Sequence, residues 1–224
     1  MNEKTADAVR FPTKNTQGNP HAKGRDTDGS FLAMLFRLKF INRWSRMYVT
    51  QPENLSIHTV ECAYLVHFLA HVGNAYFGKA HDPGRLAVAA LYHDASEILT
   101  GDMPTPVKYF NPEIQTAYKD IEHAASETLL ERLPEKLRGA YKPYFTRETL
   151  SDAEKALLKA ADRLCAYLKC VTEIHAGNHE FLSASERIKA DLTALRSEEV
   201  DFFLENCADS FPLALDELQM PVRE

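Results

Sequence analysis

Wherever apolar residues cluster in this chain they recur at three- and four-residue spacing, and that periodicity commits the sequence to packing helices. The clearest case is SDAEKALLKAADRLCAYLKCVTEIHAG. Ser151 caps it, Glu154 completes the capping pattern three residues on, and Gly177 ends it. Leu158, Ala161, Cys165 and Leu168 form its inward stripe. Similar patterns predict a helix from Ser30 as cap through SFLAMLFRLKFINRW, with Phe31, Leu35, Leu38 and Ile41 on one face, and a longer one in NLSIHTVECAYLVHFLAHVGNAYFG ending near Gly78. DPGRLAVAALYHDASEILTG reads as one helix from Asp82-Pro83 to Gly101, and NPEIQTAYKDIEHAASETLLERLP as another stopped by Pro134. HEFLSASERIKADLTALR and SEEVDFFLENCADSF add two more. No period-2 strand, hairpin dipeptide or internal repeat interrupts this pattern. The expectation is an all-α, single-domain helical bundle.

Size and charge narrow the function. A chain of 224 residues with 45% hydrophobic content closes one core of ordinary size, and a net charge of -6 repels nucleic acid and anionic membranes overall. No run approaches the roughly 18 apolar residues of a membrane span, and the N-terminus lacks the order of a secretory signal. Cys62, Cys165, Cys170 and Cys207 form no CxxC pair, so they read as reduced, mostly buried thiols of a cytoplasmic protein. Residues 1–29 are polar and rich in turn formers, which predicts a disordered extension before a core at 30–218 and a short tail at 219–224.

The polar residues inside apolar runs carry the chemistry. His93 and Asp94 follow RLAVAALY on a helix whose apolar face is Leu86, Ala89, Ala90 and Ile98. A histidine in such a place is ordinarily a hydrogen-bonded core residue. A carboxylate beside it must be paired or hold a metal. Glu97, four residues after His93, is expected on the same helical face one turn on. His58 lies among apolar neighbours in LSIHTVECAYLV, and Asp162 borders the inward stripe of its helix. Asp162 has a plainer alternative, a surface salt bridge with Arg163 or Lys159. Two imidazoles and two carboxylates suit one borderline divalent cation such as Mn, Co, Fe, Ni or Zn, and the carboxylates balance its charge. Four protein ligands on a six-coordinate ion would leave positions for water and a substrate oxygen.

The order His58, His93-Asp94, Asp162 resembles the HD-domain metal-dependent phosphohydrolases. RLKFINRW (37–44), YHDASEILTGDMPTPVKYF (92–110) and KAADRLCAYLKCVTEIHAGNHEFL (159–182) are similar to the bacterial 5′-deoxynucleotidases of that superfamily, with similarity from about Phe31 to Leu218. The resemblance implies an HD-type bundle with a metal on His58, His93, Asp94 and Asp162. It implies Glu97 as the acid/base group, Arg43 orienting the phosphate, and Trp44 beside the sugar. Asp102, Met103, Pro104 and Thr105 would form the other substrate wall, and His58, Asp94 and Asp162 would also face the substrate. It further implies hydrolysis of deoxynucleoside 5′-monophosphates by a cytoplasmic homodimer.

Two departures from that family are visible. Ile57 stands where many relatives carry an acid before the first histidine, and the N-terminal extension exceeds the family core. Trp44 as core packing, and Asp102 with Thr105 as an N-cap and turn, are the plainer alternatives. His67 and His71 share metal-like i, i+4 spacing but lack a carboxylate partner in a suitable place, so they read as surface or packing residues, with the remaining histidines. Two other functions stand beside the main one. One is a hydrolase of deoxynucleoside triphosphates or of cyclic or alarmone nucleotides, against which no added basic cluster accompanies the motifs. The other is a helical module that binds nucleotide without turnover, against which Glu97, Asp102 and Arg43 are all present.

Overall fold

The computed structural model describes residues 29–220, so the expected N-terminal extension, apart from Gly29, and the last four residues lie outside the described part. Among the described residues the chain is helical with no β-strand, and one isolated antiparallel bridge pairs Asn42 with Asn54. No described helix is long and apolar enough to cross a membrane.

The helices in chain order are α1 (Phe31–Leu35), a 3-10 segment (Phe36–Phe40), α2 (Leu55–Tyr76), α3 (Pro83–Tyr92), α4 (Glu97–Thr100), α5 (Thr105–Lys108) and α6 (Pro112–Glu131). They continue with α7 (Glu135–Thr146), α8 (Asp152–His175), α9 (Leu182–Ala194), α10 (Glu198–Asn206) and α11 (Leu215–Leu218). The capping box of α8 forms as its sequence requires: the Glu154 backbone N–H donates to Ser151 Oγ and the Ser151 N–H to the Glu154 carboxylate. Asn111 caps α6 by accepting from the Ile114 N–H at 2.8 Å, and Gly78 and Gly177 follow their helices at positive φ.

Three expectations change. Ser30 makes no side-chain cap; its hydroxyl instead accepts from Arg132 at 3.2 Å. The first helix also stops short of Trp44, because Ile41 turns extended and its carbonyl accepts from the Leu55 N–H at 3.0 Å. The single helix expected from Pro83 to Gly101 is two, α3 and α4, separated by a turn at His93–Ser96. There the amides of Ala95 and Glu97 bond three residues back, to the carbonyls of Tyr92 and Asp94, which tightens the backbone out of the α geometry. An unforeseen helix, α7, contains Gly139 and Pro143, both ordinarily breakers. It forms because Tyr141, Tyr144 and Phe145 pack on Tyr92, and Tyr141 and Phe145 also on Phe31.

Contacts divide the described residues into two compact units. One comprises the chain up to Arg43, Asn54–Ser56 and Tyr92–Thr149. Its core gathers Phe31, Ala95, Leu129, Leu130 and Leu133, with Tyr92 and Tyr141 packed against them. The other comprises Trp44–Glu53, Ile57–Leu91 and the chain from Leu150. Its core joins α2 (Cys62, Val66, Leu69), α3 (Leu86, Ala90), α8 (Leu158, Ala161, Leu164) and α9 (Leu192). Truncating a fully buried leucine there, such as Leu164, costs about 2–5 kcal/mol.

Candidate active site

In the second unit, α2 and α8 bring His58 to Asp162. The His58 ring is fully buried, and its Nε2 lies 3.1 Å from Asp162 Oδ1, whose side chain keeps 42% of its surface exposed. Arg163, one of the two partners in the plainer alternative for Asp162, pairs with Asp191 at 3.6 Å. Leu158, Ala161, Cys165 and Leu168 are all buried, and Asp162 stands at the edge of that stripe as expected. Cys165 also touches His58. A hydrogen bond with Cys62 brings its thiol down to about 7 against the upward push of burial, and His58 adds to the lowering. None of the four cysteines is in a disulfide.

In the first unit, the turn after α3 holds His93 Nε2 3.1 Å from Asp94 Oδ2. Arg147, at the C-cap of α7 with φ 55°, donates from Nη2 to the His93 carbonyl at 2.7 Å. Sequence reasoning missed Arg147 because its partner is 54 residues away. Replacing it with Met, which keeps the stem and removes the fork, leaves a carbonyl of the turn without that donor. The expected cost is about 1–3 kcal/mol of stability. A roughly tenfold or larger loss in kcat/KM should accompany it if the His93–Asp94 pair, which this bond steadies, holds a cation. Thermal unfolding and steady-state kinetics on the same preparation check both; wild-type kinetics in the variant would show that the turn does not depend on this bond.

Glu97 opens α4 directly after that turn and is 8% exposed. It is therefore not one helical turn above His93 on a shared face, as the sequence suggested, but follows a change of backbone direction. Burial drives its carboxyl up to about 9, and the charges of Asp94 and Asp102 push the same way; Lys108 and Arg43 pull back without prevailing. In the metal-free protein the protonated form is therefore favoured at neutral pH. Gly101 ends α4 at φ 72°, donating its N–H to the Glu97 carbonyl at 2.8 Å. Asp102 and Met103 follow in the connection. Pro104, not Asp102, occupies the N-cap of α5, and Thr105 is its first residue, so the plain capping reading of Asp102 fails. Lys108, another residue not foreseen, ends α5 with its ammonium 2.7 Å from Glu122 and over the Tyr118 ring at 4.9 Å.

Trp44 sits in the left-handed region at φ 58°, a strained setting for a bulky residue. Its ring packs on Phe181 at 5.3 Å between centroids, and its indole N–H donates to Glu53 Oε2 at 3.1 Å. Glu53, 7% exposed, also stands 3.7 Å from His58 Nδ1 through Oε1. Ile57 is 44% exposed. The loop carrying Trp44 and Glu53 is pinned to α8 by Glu173, which accepts from the Thr50 and Gln51 amides, the Thr50 hydroxyl, Asn178 and Lys169. Burial would raise that carboxyl, but these bonds outweigh it and hold it at about 2. Neither Glu53 nor Glu173 gives a signal in the sequence, since each reads as an ordinary surface acid until its partners are known.

Two imidazole–carboxylate pairs, His58–Asp162 and His93–Asp94, therefore exist, each presenting a ring Nε2 beside a carboxylate oxygen at 3.1 Å. Nitrogen and oxygen donors of this kind fit a borderline divalent cation.

Comparison with known proteins adds the family context. A family model described as 5′-deoxynucleotidase YfbR-like matches residues 30–211. A curated 5′-deoxynucleotidase of Erwinia tasmaniensis is 50% identical over 188 residues, covering 84% of this chain and 95% of that one. Among solved structures, an HD-domain phosphohydrolase from Listeria innocua superposes with a TM-score of 0.71 at 23% identity, over 81% of this chain and 88% of that one. A cyanophage S-2L HD phosphohydrolase, solved with dA and one catalytic Zn2+, gives 0.62 at 20% identity over 80% and 96%. At such identities these two likenesses concern the fold.

Proposed function

Since the chain belongs to the YfbR-like 5′-deoxynucleotidase family, we propose that it hydrolyses deoxynucleoside 5′-monophosphates to deoxynucleoside and phosphate, with one divalent cation on His58, His93, Asp94 and Asp162. The observation that carries the reading is Glu97: a buried, protonated carboxyl placed immediately after the His93–Asp94 turn, with Asp102 and the cations Lys108 and Arg43 in its field. A buried acid next to a ligand turn has little structural reason to be there.

When bound, the cation polarises a phosphoryl oxygen and lowers the pKa of water. The chain does the rest. Arg43 offers a planar fork matched to the phosphate oxygens and orients them for in-line attack. As the bond from phosphorus to the 5′-oxygen breaks and that from phosphorus to water oxygen forms, Glu97 gives its proton to the departing 5′-oxygen. It regains one from the incoming water, which leaves nucleoside and inorganic phosphate. Asp102, Met103, Pro104 and Thr105 form one wall for the nucleoside, with Pro104 limiting the freedom of the backbone. The Trp44 ring forms the sugar-facing side.

Phosphate release from dAMP, AMP, dATP and a cyclic nucleotide, each with Mn, Co and Zn, tests the activity. Release from dAMP above all others is expected; triphosphate release from dATP would sink the monophosphatase reading. Replacing Trp44 with Ala should lower the preference for dAMP over AMP by about 10–100-fold, the range over which a close-fitting pocket rejects one hydroxyl. An unchanged ratio would remove Trp44 from sugar selection. The same family resemblance supports a cytoplasmic homodimer, and sedimentation of the full chain checks the oligomeric state.

A further inference from the structure

We propose that Glu53 is a positioning residue that ties the metal-ligand imidazole of His58 to the indole of Trp44, so that the cation site and the sugar-facing wall are set together. This rests on the reading above that His58 holds the cation and Trp44 flanks the sugar, and it adds a residue that neither the motif nor the resemblance named.

The geometry has three parts. First, Glu53 is a carboxylate at 7% exposure, and a carboxylate that far from water is kept only by partners. One oxygen, Oε2, accepts from Trp44 Nε1 at 3.1 Å; the other, Oε1, stands 3.7 Å from His58 Nδ1, an electrostatic approach rather than a formed hydrogen bond. Second, the two nitrogens of His58 face different groups, with Nε2 on Asp162 at 3.1 Å. A carboxylate on the Nδ1 side favours the hydrogen there and leaves the Nε2 lone pair for a cation, the usual arrangement behind ligating histidines. Third, Trp44 is strained at φ 58°, and its ring is held by packing on Phe181 and the neighbouring core and by the indole bond to Glu53.

Glu53 is itself fixed from outside the pair. The preceding loop residues Thr50 and Gln51 are bound to Glu173 of α8, the helix that also carries Asp162. Ile57 has no carboxyl, so the residue directly before His58 does not supply an acid behind its ring. The Cys165 thiol is another titratable neighbour of His58. A shift of His58 toward a cation is therefore transmitted to Glu53 and read at Trp44.

Trp44 is the single tryptophan of the chain, so its emission reports on this side chain alone. The test uses the full chain stripped by chelator and titrated with Zn2+, whose closed shell excludes paramagnetic quenching. Bound zinc is measured by dialysis and emission in parallel. In the wild type, emission should change in step with zinc binding. Glu53→Gln keeps an oxygen acceptor for the indole but removes the charge behind His58. It should bind zinc about 10–100-fold more weakly, with the metal-free emission and the dAMP:AMP preference retained. Glu53→Ala removes both partners; it should bind zinc as weakly, lose the zinc-linked emission change, and lower the dAMP:AMP ratio as well.

Wild-type zinc affinity in both variants, each folded by circular dichroism, would overturn the proposal while the metal reading stands. An unchanged sugar preference and emission response in Glu53→Ala would overturn it equally. If the wild type takes up no zinc, manganese or cobalt, the metal reading itself fails, and this inference with it.

Discussion

Exchanging Glu97 for Gln should lower kcat by about 10²–10⁴-fold and at the same time make the metal-free protein more stable at alkaline pH. The first effect follows because the amide cannot give a proton to the departing 5′-oxygen, although it fills the same volume. The second follows from burial. The Glu97 carboxyl, ordinarily near 4.5, is driven up to about 9 first by its removal from water and then by Asp94 and Asp102. Below pH 4.5 the folded and unfolded chains both hold the proton, and the substitution changes little. Between 4.5 and about 9 the unfolded chain releases the proton while the folded chain keeps it, so the wild type loses stability steadily as pH rises. The Gln variant carries no such penalty. Its melting temperature should match the wild type near pH 4.5 and exceed it by roughly several degrees at pH 8. Thermal unfolding of both proteins, freed of metal by chelator, gives the comparison. A constant offset across that range would show that Glu97 is ionised in the fold, and the proton-donor role would go with it.

The second large effect is expected at Asp162. Its replacement by Ala should reduce bound metal from about one ion per chain to a small fraction and depress kcat/KM by about 10³-fold or more, the scale of several kcal/mol of charge stabilisation. Asp162 is the informative candidate ligand to remove because its side chain is 42% exposed, whereas His58 is fully buried. Cutting away the histidine would leave a cavity and confuse lost binding with lost folding. The Asp162 variant should unfold within about 1 kcal/mol of the wild type, since the carboxylate it loses is nearly half exposed. Chelator should silence the wild type, and added Mn, Co or Zn should restore it but not the variant. Full metal content with normal turnover in the variant would exclude Asp162 from the ligand set.

Much of this protein was legible in the chain because the signals act over one or two helical turns. The Ser151–Glu154 cap, the inward stripe of α8 and the glycines after α2 and α8 are local features, and each forms as read. The candidate ligands were legible for the same reason: a histidine or aspartate breaks an apolar stripe visibly wherever it sits. The failures are non-local. The turn that separates α3 from α4 depends on tight three-residue bonds and on Arg147, and α7 tolerates Gly139 and Pro143 because its tyrosines find Tyr92. Glu53 gave no pattern at all, since its meaning comes from Trp44 and His58.

The sequence by itself therefore determined that the chain is helical and which side chains could hold a cation, because periodicity and capping are properties of neighbouring residues. Only the tertiary structure decided that burial raises the Glu97 carboxyl, that His58 meets Asp162, and that Glu53 stands beside both His58 and Trp44. Protonation and pairing are set by burial and by charges brought close from distant parts of the chain, and no local pattern encodes those distances.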